Sequence, residues 1–79
     1  MLKKIIEQFS EGSFLTIDGH DNAIIGVDEN TMKLCYSMRQ IIHNLMNDMS
    51  HVEALEFYDF NIAGAYMGEK TPILVNDYF

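Results

Sequence analysis

The chain has 79 residues, 48% of them hydrophobic, and a formal net charge of −7. That length makes one domain with a narrow stability margin, and that hydrophobic content excludes a disordered chain. The cations Lys3, Lys4, Lys33, Arg39 and Lys70 are scattered and form no basic stripe. Direct binding of a nucleic-acid backbone is therefore not expected, and the acidic surface suits solubility or a basic protein partner.

Cys35 is the single cysteine, so the sequence offers neither an internal disulfide nor a thiolate zinc cage. A reduced, cytoplasmic setting is the expectation. The basic start at Lys3 and Lys4 is interrupted by Glu7 before an apolar run can develop, so no signal peptide is expected. No stretch approaches the roughly 20 apolar residues that cross a bilayer, and no membrane association is expected.

Leu2, Ile5, Ile6 and Phe9 recur at i, i+3, i+4 and i+7, one face of a short helix. Gly12 fits its C-terminal cap. Phe14-Leu15-Thr16-Ile17 is a β-rich run, followed by turn formers from Asp18 to Asn22. Ala23–Val27 is a second strand, and Asp28–Thr31 a second turn. Met32, Leu34 and Tyr36 alternate with Lys33 and Cys35, the period of a half-buried strand. Ser37 and Gln40 have capping-box spacing. Beyond them Met38, Ile41, Ile42, Leu45, Met46 and Met49 form one helical stripe. Ser50 and Glu53 repeat the capping signal and restart a helix at a new angle. Val52, Leu55, Ile62 and Tyr66 trace one stripe on it, and Ala54, Phe57, Tyr58 and Ala65 widen the apolar surface. Gly64 and Gly68 weaken its end, and Pro72 stops it. Ile73–Val75 is a last strand. The expected fold is α+β in one domain over residues 1–79. A small antiparallel sheet, made of a hairpin or three-stranded meander plus a C-terminal strand, is packed by two or three helices.

No chemical motif survives its spacing test. Gly64, Gly68 and Lys70 resemble a phosphate loop only distantly, because Glu69 intervenes, a helix precedes and a strand follows. Asp18, His20 and Asp21 share a turn, where a hard cation is conceivable; an Asx-type turn explains the same residues without a metal. His43 and His51 are too far apart for helical zinc ligation, which pairs i with i+4. Cys35 could act as a nucleophile with a histidine and an acid, but small lone cysteines usually pack. Glu53, Glu56 and Asp59 have the spacing of an acidic solvated helix face. No metal or cofactor is expected, and no enzyme activity. The aromatics Phe57, Tyr58, Phe60, Tyr66, Tyr78 and Phe79 exceed what so small a core needs, which points to an interface or to a homodimer that completes the core.

Three stretches carry a resemblance: DNAIIGVDE, LCYSMRQII and EALEFYDFNIAGAYMGEKTPILVND. Together they resemble a group of small uncharacterised proteins encoded in phage and prophage genomes. Their pattern is an AI-G strand, a YS entry into a helix, an EA-E helix and a closing FN-GAY-GE-TPI. The match covers roughly Asp18–Asp77; Phe60–Ile73 is its specific part, and Met1–Phe9 lies outside it. The resemblance implies an origin and the cytoplasm of an infected or lysogenic bacterium, and it carries over no catalytic residue.

The leading expectation is a small accessory protein that binds a host protein, one connected with defence, in fixed stoichiometry and inhibits it. The alternative is a protein that binds or sequesters a nucleotide signal in a pocket at a homo-oligomer seam. Phe60, Asn61, Tyr66, Glu69, Lys70 and Thr71 have no evident structural task and are the expected binding residues. Phe57, Ile62 and Ile73–Val75 are expected in the core.

Overall fold

A computed structural model of the chain describes residues 14–65 and 68–77. The helix expected over Met1–Phe9, its Gly12 cap, and Tyr66, Tyr78 and Phe79 lie outside the described residues.

The first expected strand, Phe14–Ile17, does not enter the sheet. Phe14 and Ile17 pack against the core instead, and the Ile17 N–H donates to the Tyr36 hydroxyl at 2.9 Å. That bond supplies a partner which a sheet ladder would otherwise provide. The His20 N–H donates to the Ile17 carbonyl at 3.2 Å. Gly19 has φ +83° inside this turn, the left-handed value that the third position of a type II turn requires. A single 3-10 turn, Asp21–Ala23, then leads into the sheet.

Strand β1 (Ile24–Asp28) and strand β2 (Lys33–Ser37) form an antiparallel hairpin. Ile24 faces Tyr36 and Val27 faces Leu34, and the register slips between Ile24 and Gly26. Ile25 is therefore the extra residue of a bulge and is 46% exposed. Met32, expected to open the strand, closes the turn instead. Its N–H donates to the Asp28 carbonyl at 2.7 Å, and its φ is +54°.

Strand β3 (Ile73–Val75) pairs with β2 in parallel, aligning Cys35 with Ile73 and Ser37 with Val75. The sheet is thus mixed, in the order β1-β2-β3, where an antiparallel one was expected. The physical reason is the length of the connection. Antiparallel neighbours can be joined by a tight turn, whereas the helical chain between β2 and β3 is long enough to cross back to the starting end.

Helix α1 (Met38–Leu45) and helix α2 (His51–Phe57) occupy that crossover, and α2 runs directly into a π-helical turn, Tyr58–Ala63. The Met49 end of the expected first helix is a tightened turn. There the Asn47 and Asp48 N–H groups reach back to the Asn44 and Leu45 carbonyls. Both serine caps form. Ser37 Oγ accepts from the Gln40 N–H at 3.0 Å, and Ser50 with Glu53 makes a complete capping box. Gln40 does not complete the first box, because its side chain bonds Asn44.

The core is one cluster. Leu34 and Tyr36 come from β2, Ile24 from β1, Ile41 and Ile42 from α1, Ala54 from α2 and Tyr58 from the π turn. Fully burying each large aliphatic side chain contributes about 1.5–3 kcal/mol, so four or five of them dominate the stability of so small a domain. Phe57, expected in this core, is not in it: 40% of it is exposed. Val52 is also outside, 63% exposed. The fully buried residues of this segment are Ala54 and Tyr58; of the expected stripe Leu55 and Ile62 pack against the core and Val52 does not. Ile62 packs against the core as expected, and β3 is half-buried with Leu74 turned inward.

Candidate functional site

Helix α2 is short, and its existence depends on its start. Ser50 Oγ accepts from the Glu53 N–H at 3.2 Å, and the Glu53 carboxylate accepts from the Ser50 N–H at 3.2 Å. Two otherwise unpaired donors are satisfied, and a negative charge sits where the helix dipole is positive. The bond from the Ser50 backbone N–H, and after it the Ser50 side chain, hold the Glu53 carboxyl below the usual carboxylate range.

The helix then widens. From Tyr58 to Ala63 the backbone is π-helical. A π turn takes more residues than an α turn, so residues four apart stay more nearly in line. Tyr58 and Ile62 can both face the core, and Asn61 rotates outward beneath Phe57. The Asn61 side-chain amide donates to the Phe57 carbonyl at 3.3 Å. Gly64 closes the turn. A Cβ there would lie 3.2 Å from the Asp59 carbonyl oxygen and 3.4 Å from that of Phe60. The wide turn brings those carbonyls close to the Gly64 α-carbon, so hydrogen is the side chain that fits.

The outward side of this rod is consistent along its length. Val52, Glu56 and Phe60 follow one another at i, i+4 and i+8, and Glu53, Phe57 and Asn61 run beside them. All six are exposed. Phe60 is 83% exposed, the most exposed large apolar side chain among the described residues. Asp59 is exposed as well, and no lysine or arginine occurs between His51 and Ala65. The surface is apolar and acidic together.

The expected binding residues that are described have different surroundings. Phe60 and Asn61 lie on the outward side of the π turn. Glu69 is exposed. The Lys70 ammonium donates to the Thr31 carbonyl at 3.1 Å, pinning the loop before β3 to the hairpin turn. Thr71 Oγ donates to the Gly68 carbonyl at 2.6 Å and faces a cleft lined by Ile17, Ile62, Ala63, Ala65, Pro72 and Leu74. Lys70 and Thr71 therefore have structural tasks that the sequence did not show. Val52 was expected on an apolar stripe, Phe57 in the core or at an interface and Glu56 on a solvated acidic face; none was among the expected binding residues, and all three are exposed. The signal was present in the phase of Ala54, Tyr58 and Ile62, which puts Val52 and Phe57 on the other side.

The cleft holds about 120 Å³, against about 300–1,000 Å³ for pockets that enclose a drug-sized ligand. Its lining has one polar side chain, Thr71, and no titratable group. It suits a single apolar side chain better than a nucleotide.

His20 is tied into structure, and Cys35 lies in the sheet. Asn44 is the centre of a polar network. It exchanges reciprocal amide bonds of 3.1 and 2.7 Å with Asn22, accepts from Gln40 at 3.0 Å and approaches His20 Nδ1 at 3.1 Å. With Asn44 donating, His20 is the neutral tautomer that accepts at Nδ1. Burial pushes the His20 pKa down. Among the described residues no group of three or more His, Cys, Asp or Glu is placed to hold a metal ion. Cys35 lies on the central strand, half-buried. Burial first, and then the Asp28 charge, push its thiol pKa up, which is the opposite of what activates a nucleophile.

Among the described residues no helix is long and apolar enough to cross a membrane. No protein-family model matches the chain. Searches for similar curated proteins and similar solved structures find no match either.

Proposed function

We propose that the protein acts by stoichiometric binding to another protein, through the outward face of α2 and the π turn. In the phage setting implied by the sequence resemblance, the partner is a host protein connected with defence, and binding inhibits it. The observation that carries this reading is Phe60. A phenylalanine 83% exposed, held on a capped helix and flanked by exposed Val52 and Phe57, loses nothing from the core and gains on docking. Aromatic side chains in the centre of an interface supply much of its energy. The alternative, a nucleotide-signal binder with its pocket at a homo-oligomer seam, has no comparable observation behind it.

The test is affinity capture from the bacterial host, before and during infection, with the wild-type chain and Phe60→Ser in parallel. The expected result is one protein recovered in fixed ratio by the wild type and lost with Phe60→Ser, its activity inhibited by the wild-type chain alone. Recovery of the bait alone under both conditions would overturn the reading.

A further inference from the structure

The same face carries information about what it binds, and this inference rests on the binding reading above. We infer that the occupant of the α2–π face is a cationic amphipathic segment: an apolar side chain seated against Phe60 and flanked by lysine or arginine. The apolar part is set by Val52, Phe57 and Phe60, which protrude in two adjacent lines. The charge is set by Glu53, Glu56 and Asp59, which are interleaved with them and exposed.

The alternation matters. A carboxylate between two apolar residues at four-residue spacing cannot be buried against an apolar or acidic partner without losing its water. A lysine or arginine opposite it compensates that loss and steers the encounter. Among the described residues, no lysine or arginine of this segment performs that service. The segment His51–Ala65 has no lysine or arginine, and Lys70 is turned toward the hairpin through its bond to Thr31. With a net charge of −7, a second copy of the chain would bring like charge to the same place, which disfavours self-association through this face. An anionic lipid surface is disfavoured for the same reason.

The experiment uses the full chain and a synthetic amphipathic helical peptide of leucine and lysine, titrated by calorimetry at low and moderate salt. The matched arms are a leucine–glutamate peptide, zwitterionic and anionic vesicles, and sedimentation of the protein alone. The lysine peptide is expected to bind, more weakly as salt rises. Phe60→Ser is expected to weaken it by about tenfold. Glu56→Gln with Asp59→Asn should weaken it about threefold or more. Glu29→Gln, an exposed acid of the hairpin turn, should leave affinity unchanged. The thermal midpoint of Phe60→Ser should match the wild type, which separates lost binding from lost fold.

The inference is overturned if the lysine peptide does not bind, or if the glutamate peptide or a vesicle binds as well. It is also overturned if Phe60→Ser has no effect, or if Glu29→Gln weakens binding as much as the change at Glu56 and Asp59, since net charge alone would then explain the result. A dimer dissolved by Phe60→Ser would assign the face to a second copy and overturn it too. A host partner captured through Phe60 with salt-insensitive affinity would leave the binding reading standing and remove this one.

Discussion

Asp77 closes the described chain onto the start of α1. Its carboxylate accepts from Ser37 Oγ at 2.6 Å and from the Arg39 N–H at 2.9 Å. Ser37 thus caps the helix with its own lone pair while donating its proton to a residue forty positions away. These two bonds, the Ser37 bond first, hold the Asp77 carboxyl below its usual range. Because the folded-state pKa is depressed, the stabilisation is present above the ordinary aspartate pKa and is lost as pH falls through the folded value. Asp77→Ala should cost about 1 kcal/mol in denaturant melts at neutral pH, and the gap from wild type should close in acid. His20 works over a different range. Its folded pKa is depressed by burial, and protonation would set an N–H against the Asn44 amide N–H. The unfolded chain binds that proton more readily, so stability should fall as pH drops below the ordinary histidine pKa. Asn44→Ala removes the opposing donor, and chemical melts of this variant against wild type should show a smaller loss over that interval.

At the scale of elements, the joint between α2 and the π turn decides which side chains meet solvent. Gly64 is its constraint. Gly64→Ala gains about 1 kcal/mol of helix propensity, but it forces a Cβ against backbone carbonyls at 3.2 and 3.4 Å. Overpacking of this kind costs about 1–3 kcal/mol, and a carbonyl held inside a turn cannot move aside as a flexible side chain would. The expected net result is a loss of about 1 kcal/mol, read as a thermal midpoint about 4–8 °C lower. The helix itself was legible from Ser50 and Glu53, because a capping box is a local signal. Its phase was not. Val52 and Leu55 fit an apolar stripe as well as Ala54 and Tyr58 do. Ala54 and Tyr58 are the buried pair, Leu55 packs beside them and Val52 faces outward.

For the whole molecule, the division of aromatics is the main result. Tyr36 and Tyr58 are buried, each with a polar end that the fold accommodates, whereas Phe57 and Phe60 are turned out. Phe60→Ser should therefore leave the melting transition within about 0.5 kcal/mol of wild type while removing the largest single piece of exposed apolar surface on that face. Differential scanning calorimetry checks the first part, and binding of a hydrophobic dye to the native protein checks the second. A destabilisation well beyond that range would show that Phe60 belongs to a core.

The sequence by itself determined the class of fold, the hairpin, both serine-capped helices and the acidity, since each rests on local spacing or composition. It also singled out Phe60 as a residue outside the core. Tertiary structure decided the rest. It made β3 parallel, kept Phe14–Ile17 out of the sheet, assigned Lys70 and Thr71 to holding the loop before β3, and turned Val52 and Phe57 outward. Those outcomes depend on which strand edges are already taken and on how much volume the core has left, and neither quantity is written in the order of residues along one segment.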